Sequence, residues 1–184
     1  DTMLIPELSY LDAIELAYAG AQVIHPKTIK PLQNKNIPLY VRPFGDPTKP
    51  GSVICASPPV PPGVPVRILK GRQVLISIRP KDFSFVLEDR VADIFSVFGQ
   101  YRQKINLIQS SAVNLSLCVD DSRYLERVVD ALQTEFRVVY NRDMELLTIR
   151  GYDQITYDRY AEAEGVFLVQ KTRRTARIVR SASH

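Results

Sequence analysis

The chain has 184 residues, 45% of them hydrophobic, enough for a packed core and too many for wholesale disorder. No apolar run approaches the ~20 residues of a membrane helix, no basic-then-apolar leader is visible, and two cysteines with two histidines leave little for a disulfide scaffold or a metal site. Net charge is +4, yet Lys171 to Arg180 alone contributes +5 and the rest −1, so the basic character is local, unlike that of a general nucleic-acid binder. The basic stretch reads first as a solvated hairpin face and second as a contact for an anionic partner. Cysteine usage fits a reducing, cytoplasmic setting.

Ser9 with Asp12 three residues on has capping-box spacing, the shorter Asp replacing the usual Glu. Leu11, Ile14, Ala17, Tyr18 and Ala21 then follow helical spacing, and Gly20 can stop the helix. Pro26 suits the first turn of a second helix through about Leu32. Ile37 to Val41 predicts a short strand, and Arg42 to Gly51 a loop. Two helices and one or two strands can hardly bury a core alone, so residues 1–56 are expected to be the last piece of a larger domain. Residues 57–66 form a linker: from Ser57 to Pro65 there are five prolines in nine residues, which excludes helix and favours an extended spacer.

The pattern then becomes regular. Val74 to Ile78 predicts a strand, and Val91, Ile94, Phe95 and Phe98 form the apolar stripe of a helix. Lys104 to Gln109 predicts a strand. Val113, Leu115, Leu117 and Val119 alternate with Asn114, Ser116 and Cys118, the mark of a half-buried strand. Asp120, Asp121 and Ser122 are candidate caps for a helix striped by Leu125, Val128, Val129 and Leu132, and Phe136 to Tyr140 is a further strand. The order β-α-β-β-α-β is that of a ferredoxin-like unit, an antiparallel sheet with both helices on one face, assigned to 67–143. Asn141-Arg142-Asp143 is expected to turn the chain into a second, incomplete copy over 144–184: a strand to Arg150, a break at Gly151, a helix capped by Asp153 and ended by Gly165, then a hairpin of Val166 to Lys171 and Ala176 to Val179. Its unpaired edges invite a partner copy. The fold class is therefore α+β, with tandem βαββαβ units.

Catalytic chemistry is nearly absent. There is no Gly-rich phosphate loop, and His25, the only internal histidine, reads as a cap or packing residue. Acid pairs such as Glu88-Asp89 and Asp120-Asp121 stand at helix starts, where the macrodipole favours negative charge, and Cys118 has no signature of a reactive thiol. The informative feature is the polar set Asn106, Gln109, Ser110, Ser111 and Asn114, next to Val113, at the second-to-third strand corner. Across from it, in a split βαβ unit, lies the loop from Pro80 to Glu88. Helix-start N–H groups on one side and amides and hydroxyls on the other would suit a free amino acid; a plain polar turn is the alternative.

The run from Ser9 to Thr28, ending Gly20-Ala21-Gln22-Val23-Ile24-His25-Pro26-Lys27-Thr28, closely resembles the aspartokinase helix and its Gly-Ala-x-Val-x-His-Pro-x-Thr motif. Asn36 to Val41, with Pro47 and Gly51, continues the likeness, and Ile105 to Leu117 looks like the regulatory corner of that family. The resemblance covers essentially the whole chain. It implies a C-terminal fragment: residues 1–56 from the end of an amino-acid-kinase α/β domain, then tandem ACT domains, modules that sense amino acids. The parent enzyme would phosphorylate the side-chain carboxylate of aspartate with MgATP, opening lysine, threonine and methionine synthesis. The fragment, without the family's upstream motifs, would be inactive and hold no cofactor. The resemblance also implies a homodimer through ACT domains and an effector held by Ile105, Asn106, Ser110, Ser111, Val113 and the helix start at Asp89. Two positions depart from the family. Many relatives carry Asp where this chain has Asn106, and Gly where Asp89 stands, the latter behind the bulkier Phe83, Phe85 and Glu88. Asn cannot neutralise a cationic ligand, and Asp89 would repel the ligand carboxylate, so the lysine response is expected to be small; threonine sensitivity or an empty site remain open. Two other functions share the strand order. One is a purely structural dimerisation module. The other is an RNA-binding module, for which the first and third strands lack the stacking aromatics.

Overall fold

The computed structural model describes residues 3–56, 65–82, 85–86 and 88–182. The proline-rich tract 57–64, Phe83 and His184 lie outside the described residues. The chain divides into two compact units, Asp1–Ile68 with Ile149–Asp153, and Leu69–Thr148 with Gln154–His184.

The first unit contains β1 (Glu7–Ser9), α1 (Tyr10–Ala19), α2 (Pro26–Asn34), β2 (Leu39–Val41) and β3 (Ser52–Cys55). Strand β3 lies between β1, to which it is parallel, and β2, to which it is antiparallel. Ser9 caps α1: its Oγ accepts from the Asp12 N–H at 3.0 Å and donates to the Asp12 carboxylate at 2.7 Å. Gly20 closes the helix at φ 123°, a backbone conformation that a Cβ would strain. His25 is the cap of α2, its Nδ1 accepting from the Lys27 N–H at 3.2 Å. Tyr10, Ala13, Ile29 and Ile54 form a small core, and the Tyr10 hydroxyl donates to the Ile37 carbonyl at 2.7 Å. Arg150 pairs with Asp12 and lies 3.7 Å from Glu15, both on α1.

The second unit is built on one six-stranded sheet, ordered β5-β6-β4-β7-β9-β8. Its elements are β4 (Val66–Pro80), α3 (Glu88–Gln100), β5 (Ile105–Ser110), β6 (Leu115–Asp120), α4 (Leu125–Gln133), β7 (Phe136–Arg150), α5 (Gln154–Ala161), β8 (Val166–Lys171) and β9 (Thr175–Ser181). Val74, Ile76 and Ile78 of β4 pack with Leu115, Leu117 and Val119 of β6 beneath Ile94 and Phe98 of α3 and Leu125, Val128, Val129 and Leu132 of α4. Both apolar helix stripes thus face one side of the sheet, the α+β layering of a ferredoxin-like unit.

Asn141-Arg142-Asp143 does not reverse the chain. The strand runs unbroken from Phe136 to Arg150, and Asp143 takes a left-handed conformation, φ 55°. Phe136, Val138 and Tyr140 pack against the helix-covered core, whereas Met144 and Leu146 belong to a second cluster with Leu75, Leu107, Cys118 and Val179. Even-numbered residues therefore change face across Asp143, as an inserted residue in a strand requires. Arg72 in β4, φ 52°, is its counterpart: Asp121 donates to the Arg72 carbonyl as Ala182 donates to that of Asp143. The hairpins agree too, with register shifts at Ile105/Leu107 in β5 and at Val166/Leu168 in β8. These matched irregularities identify the duplication in structure. The expected side-chain caps of α4 are otherwise employed: Tyr124 takes the cap position without a side-chain bond, Ser122 accepts from its N–H, Asp120 is in a polar network and Asp121 pairs with Arg142.

The sheet curls. Gln170 of β8 donates to the Ile108 carbonyl of β5 at 3.0 Å, and Arg177 of β9 donates to that of Asn106 at 3.2 Å, so side chains join the two edge strands. The curl encloses Leu75, Leu107, Cys118, Met144, Leu146 and Val179, all buried.

Candidate functional site

The β4–α3 loop and the β5–β6 corner meet. The Val86 N–H donates to the Ala112 carbonyl at 2.8 Å. The corner is a tight turn in which both the backbone N–H and the hydroxyl of Ser111 donate to the Asn114 carbonyl, at 2.8 and 3.2 Å. Asn114 in turn donates to Ser116 Oγ at 2.9 Å. Ser110, Ser111 and Val113 are exposed at this turn. Asp89 is exposed in the first turn of α3, beside Glu88, so the helix start carries two carboxylates. Phe85, at 62% exposure, stands in the loop ahead of them.

Ile105 and Asn106 lie at the other end of β5. Four residue steps along the strand separate Asn106 from Ser110, about 13 Å. Asn106 is 6% exposed and fully engaged. Its amide donates to Gln73 Oε1 and to Asp120 Oδ1, both at 2.7 Å, and its Oδ1 accepts from Lys70 Nζ at 2.9 Å. Lys70 and Asp120 form an ion pair at 2.6 Å, and Gln73 Nε2 also donates to Asp120 at 3.0 Å. Burial pushes the Asp120 carboxyl up, but the bonds from Lys70, Gln73 and Asn106 outweigh it and hold the group below the usual carboxylate range. Cys118 Sγ lies 3.5 Å from Gln73 Oε1, and burial pushes its thiol up to about 12, so it is no nucleophile near neutral pH.

The structure thus gathers Ser110, Ser111 and Val113 near the β4–α3 loop and commits Asn106 to an interior network. What the residue pattern could not supply were Val86 and Ala112, which act through backbone groups, and the partners of Asn106. Lys70, Gln73 and Asp120, polar residues within strands, were the available signal for that network. Among the described residues no cluster of His, Cys, Asp and Glu could hold a metal ion, and no helix is long and apolar enough to cross a membrane.

No family model matches the chain. Aspartokinase 3 of Arabidopsis thaliana, chloroplastic, is 32% identical over 123 residues, which are 67% of this chain and 22% of that protein. The lysine-sensitive aspartokinase 3 of Escherichia coli is 26% identical over 159 residues, 81% of this chain and 35% of that protein. The chain is related to the aspartokinases. It spans between about a fifth and a third of the length of these two aspartokinase relatives. Its fold is that of aspartokinase structures: E. coli aspartokinase III in complex with lysine and aspartate superposes with a TM-score of 0.78 at 20% identity, over 96% of this chain and 43% of that one. A C-terminal regulatory domain of aspartate kinase from Porphyromonas gingivalis superposes over 65% of this chain and 88% of its own length, TM-score 0.54 at 17% identity. The fold class shared with these aspartokinase regions is α+β, with ferredoxin-like units.

Proposed function

We propose that the chain is the regulatory region of an aspartokinase and that the β4–α3 loop and the β5–β6 corner form a seat for a free amino acid. The parent enzyme would phosphorylate aspartate with MgATP; this region would bind effector, pair with a second copy of itself and do no chemistry. The observation that carries the reading is the Val86–Ala112 bond, which ties the loop ahead of α3 to the exposed hydroxyls of Ser110 and Ser111. The relation to aspartokinases supports it. Effector binding would act by population shift. Moving a 1:99 equilibrium to 99:1 takes ~5.5 kcal/mol of differential binding, which two sites in a dimer can share.

Asp89 sets the expected ligand response. A carboxylate facing the ligand's own costs on the order of 1 kcal/mol at partly screened distances, about fivefold in affinity. Lysine at millimolar concentration is expected to raise the melting temperature of the wild type little, and that of Asp89→Gly by several degrees, saturably. If neither protein responds to lysine, threonine or methionine while remaining dimeric, the region is a structural dimerisation module instead. The RNA reading is disfavoured: the helix-free sheet face on which bases would stack carries Leu75, Leu107 and Cys118, buried under the curl.

A further inference from the structure

Arg79 and Pro80 at the end of β4, Lys81 beyond it, Gln133 at the end of α4, and Phe136, Arg137 and Val138 at the start of β7 line an open cavity of about 490 Å³. Three of these seven residues are cations and none is an acid. Lys81 is fixed at the rim, its ammonium donating to the Thr134 carbonyl at 3.1 Å. The guanidiniums of Arg79 and Arg137 make no ion pair or hydrogen bond among the described residues. The acids nearest in sequence are already employed: Glu135, next to the cavity wall, is taken by Arg90 at 3.1 Å, and Asp121 is paired with Arg142 at 3.0 Å. Unpaired guanidiniums sharing one cavity repel each other, and an anion seated between them removes that repulsion.

We propose that this cavity binds a small phosphate-bearing dianion. A guanidinium offers paired N–H donors in a fixed plane that match two oxygens of one phosphate, and two such forks with an ammonium match a doubly charged group. Pro80, Phe136 and Val138 complete the lining. The volume exceeds what a bare phosphate fills and lies in the ~300–1,000 Å³ range of small-molecule sites, so the phosphate would be carried on a compact organic body. The inference does not depend on the amino-acid seat proposed above.

Titration calorimetry at pH 8 and constant ionic strength with phenyl phosphate, a monoester that is a dianion there, tests it. The wild type should bind saturably at one site. Arg79→Gln/Arg137→Gln should weaken binding at least tenfold, and Arg173→Gln/Arg174→Gln, at the basic hairpin tip, should leave it unchanged. Arg79 and Arg137 are exposed, so each single variant retains the fold, verified by circular dichroism, and should weaken binding severalfold. Succinate, a dicarboxylate of the same charge, should bind more weakly than phenyl phosphate. Non-saturating heats, equal affinity in the double variant, loss of binding in the hairpin-tip variant, or succinate binding as tightly would each overturn the assignment.

Discussion

Asp120→Asn tests the interior network most directly. The substitution keeps shape and removes charge, leaving the Lys70 ammonium, 22% exposed, beside a neutral amide. Removing one partner of a fully buried pair costs ~3–5 kcal/mol, whereas an exposed pair is worth ~0–1. The Asp120 side chain is 34% exposed, so solvent screening places the expected cost between these, at about 2 kcal/mol. In urea this lowers the midpoint by about 1 M with the slope unchanged. Lys70→Met should cost less, because Asp120 keeps its bonds from Asn106 and Gln73, and adding Lys70→Met to Asp120→Asn should cost little more. The dependence on pH follows from the lowered carboxyl. The unfolded chain binds the proton near pH ~3.9 and the folded chain only below that, so the stabilisation is fully present above this value. It is lost as pH falls through the folded-state value, and Asp120→Asn should lack that acid-side component. A cost under about 0.5 kcal/mol at pH 7, or strict additivity with Lys70→Met, would refute the network's role.

Thiol labelling gives a second test: at pH 8 a disulfide reagent should modify half-buried Cys55 in the native protein, while Cys118, with its thiol pushed up to about 12, should react only on unfolding. Ser9→Ala should destabilise the first unit by about 1 kcal/mol and Ser9→Asp should restore most of it, read by amide exchange on α1.

The candidate seat was legible in part. Ser110 and Ser111 stood out because hydroxyls clustered just before an alternating strand have no packing reason to be there. Asn106 belonged to the same polar run, but period two sends neighbouring side chains to different faces, and a register shift at Ile105/Leu107 decides which face it meets. That shift has no marker in the residue types. The cavity of Arg79 and Arg137 was invisible for a related reason: its walls come from segments more than fifty residues apart.

By itself the sequence determined the local elements and their sidedness. Helical stripes such as Leu125, Val128, Val129 and Leu132, the alternation from Leu115 to Val119, and caps at Ser9 and His25 are set by interactions within a few residues, so periodicity exposes them. Tertiary structure decided that β4 and β7 are single long strands, that both change face at left-handed Arg72 and Asp143, and that the sheet curls until Gln170 and Arg177 reach β5. Those outcomes depend on strand pairing and burial between residues far apart in the chain. Neither Arg nor Asp favours a positive φ on its own strongly enough to announce it, and only the surrounding packing holds them there.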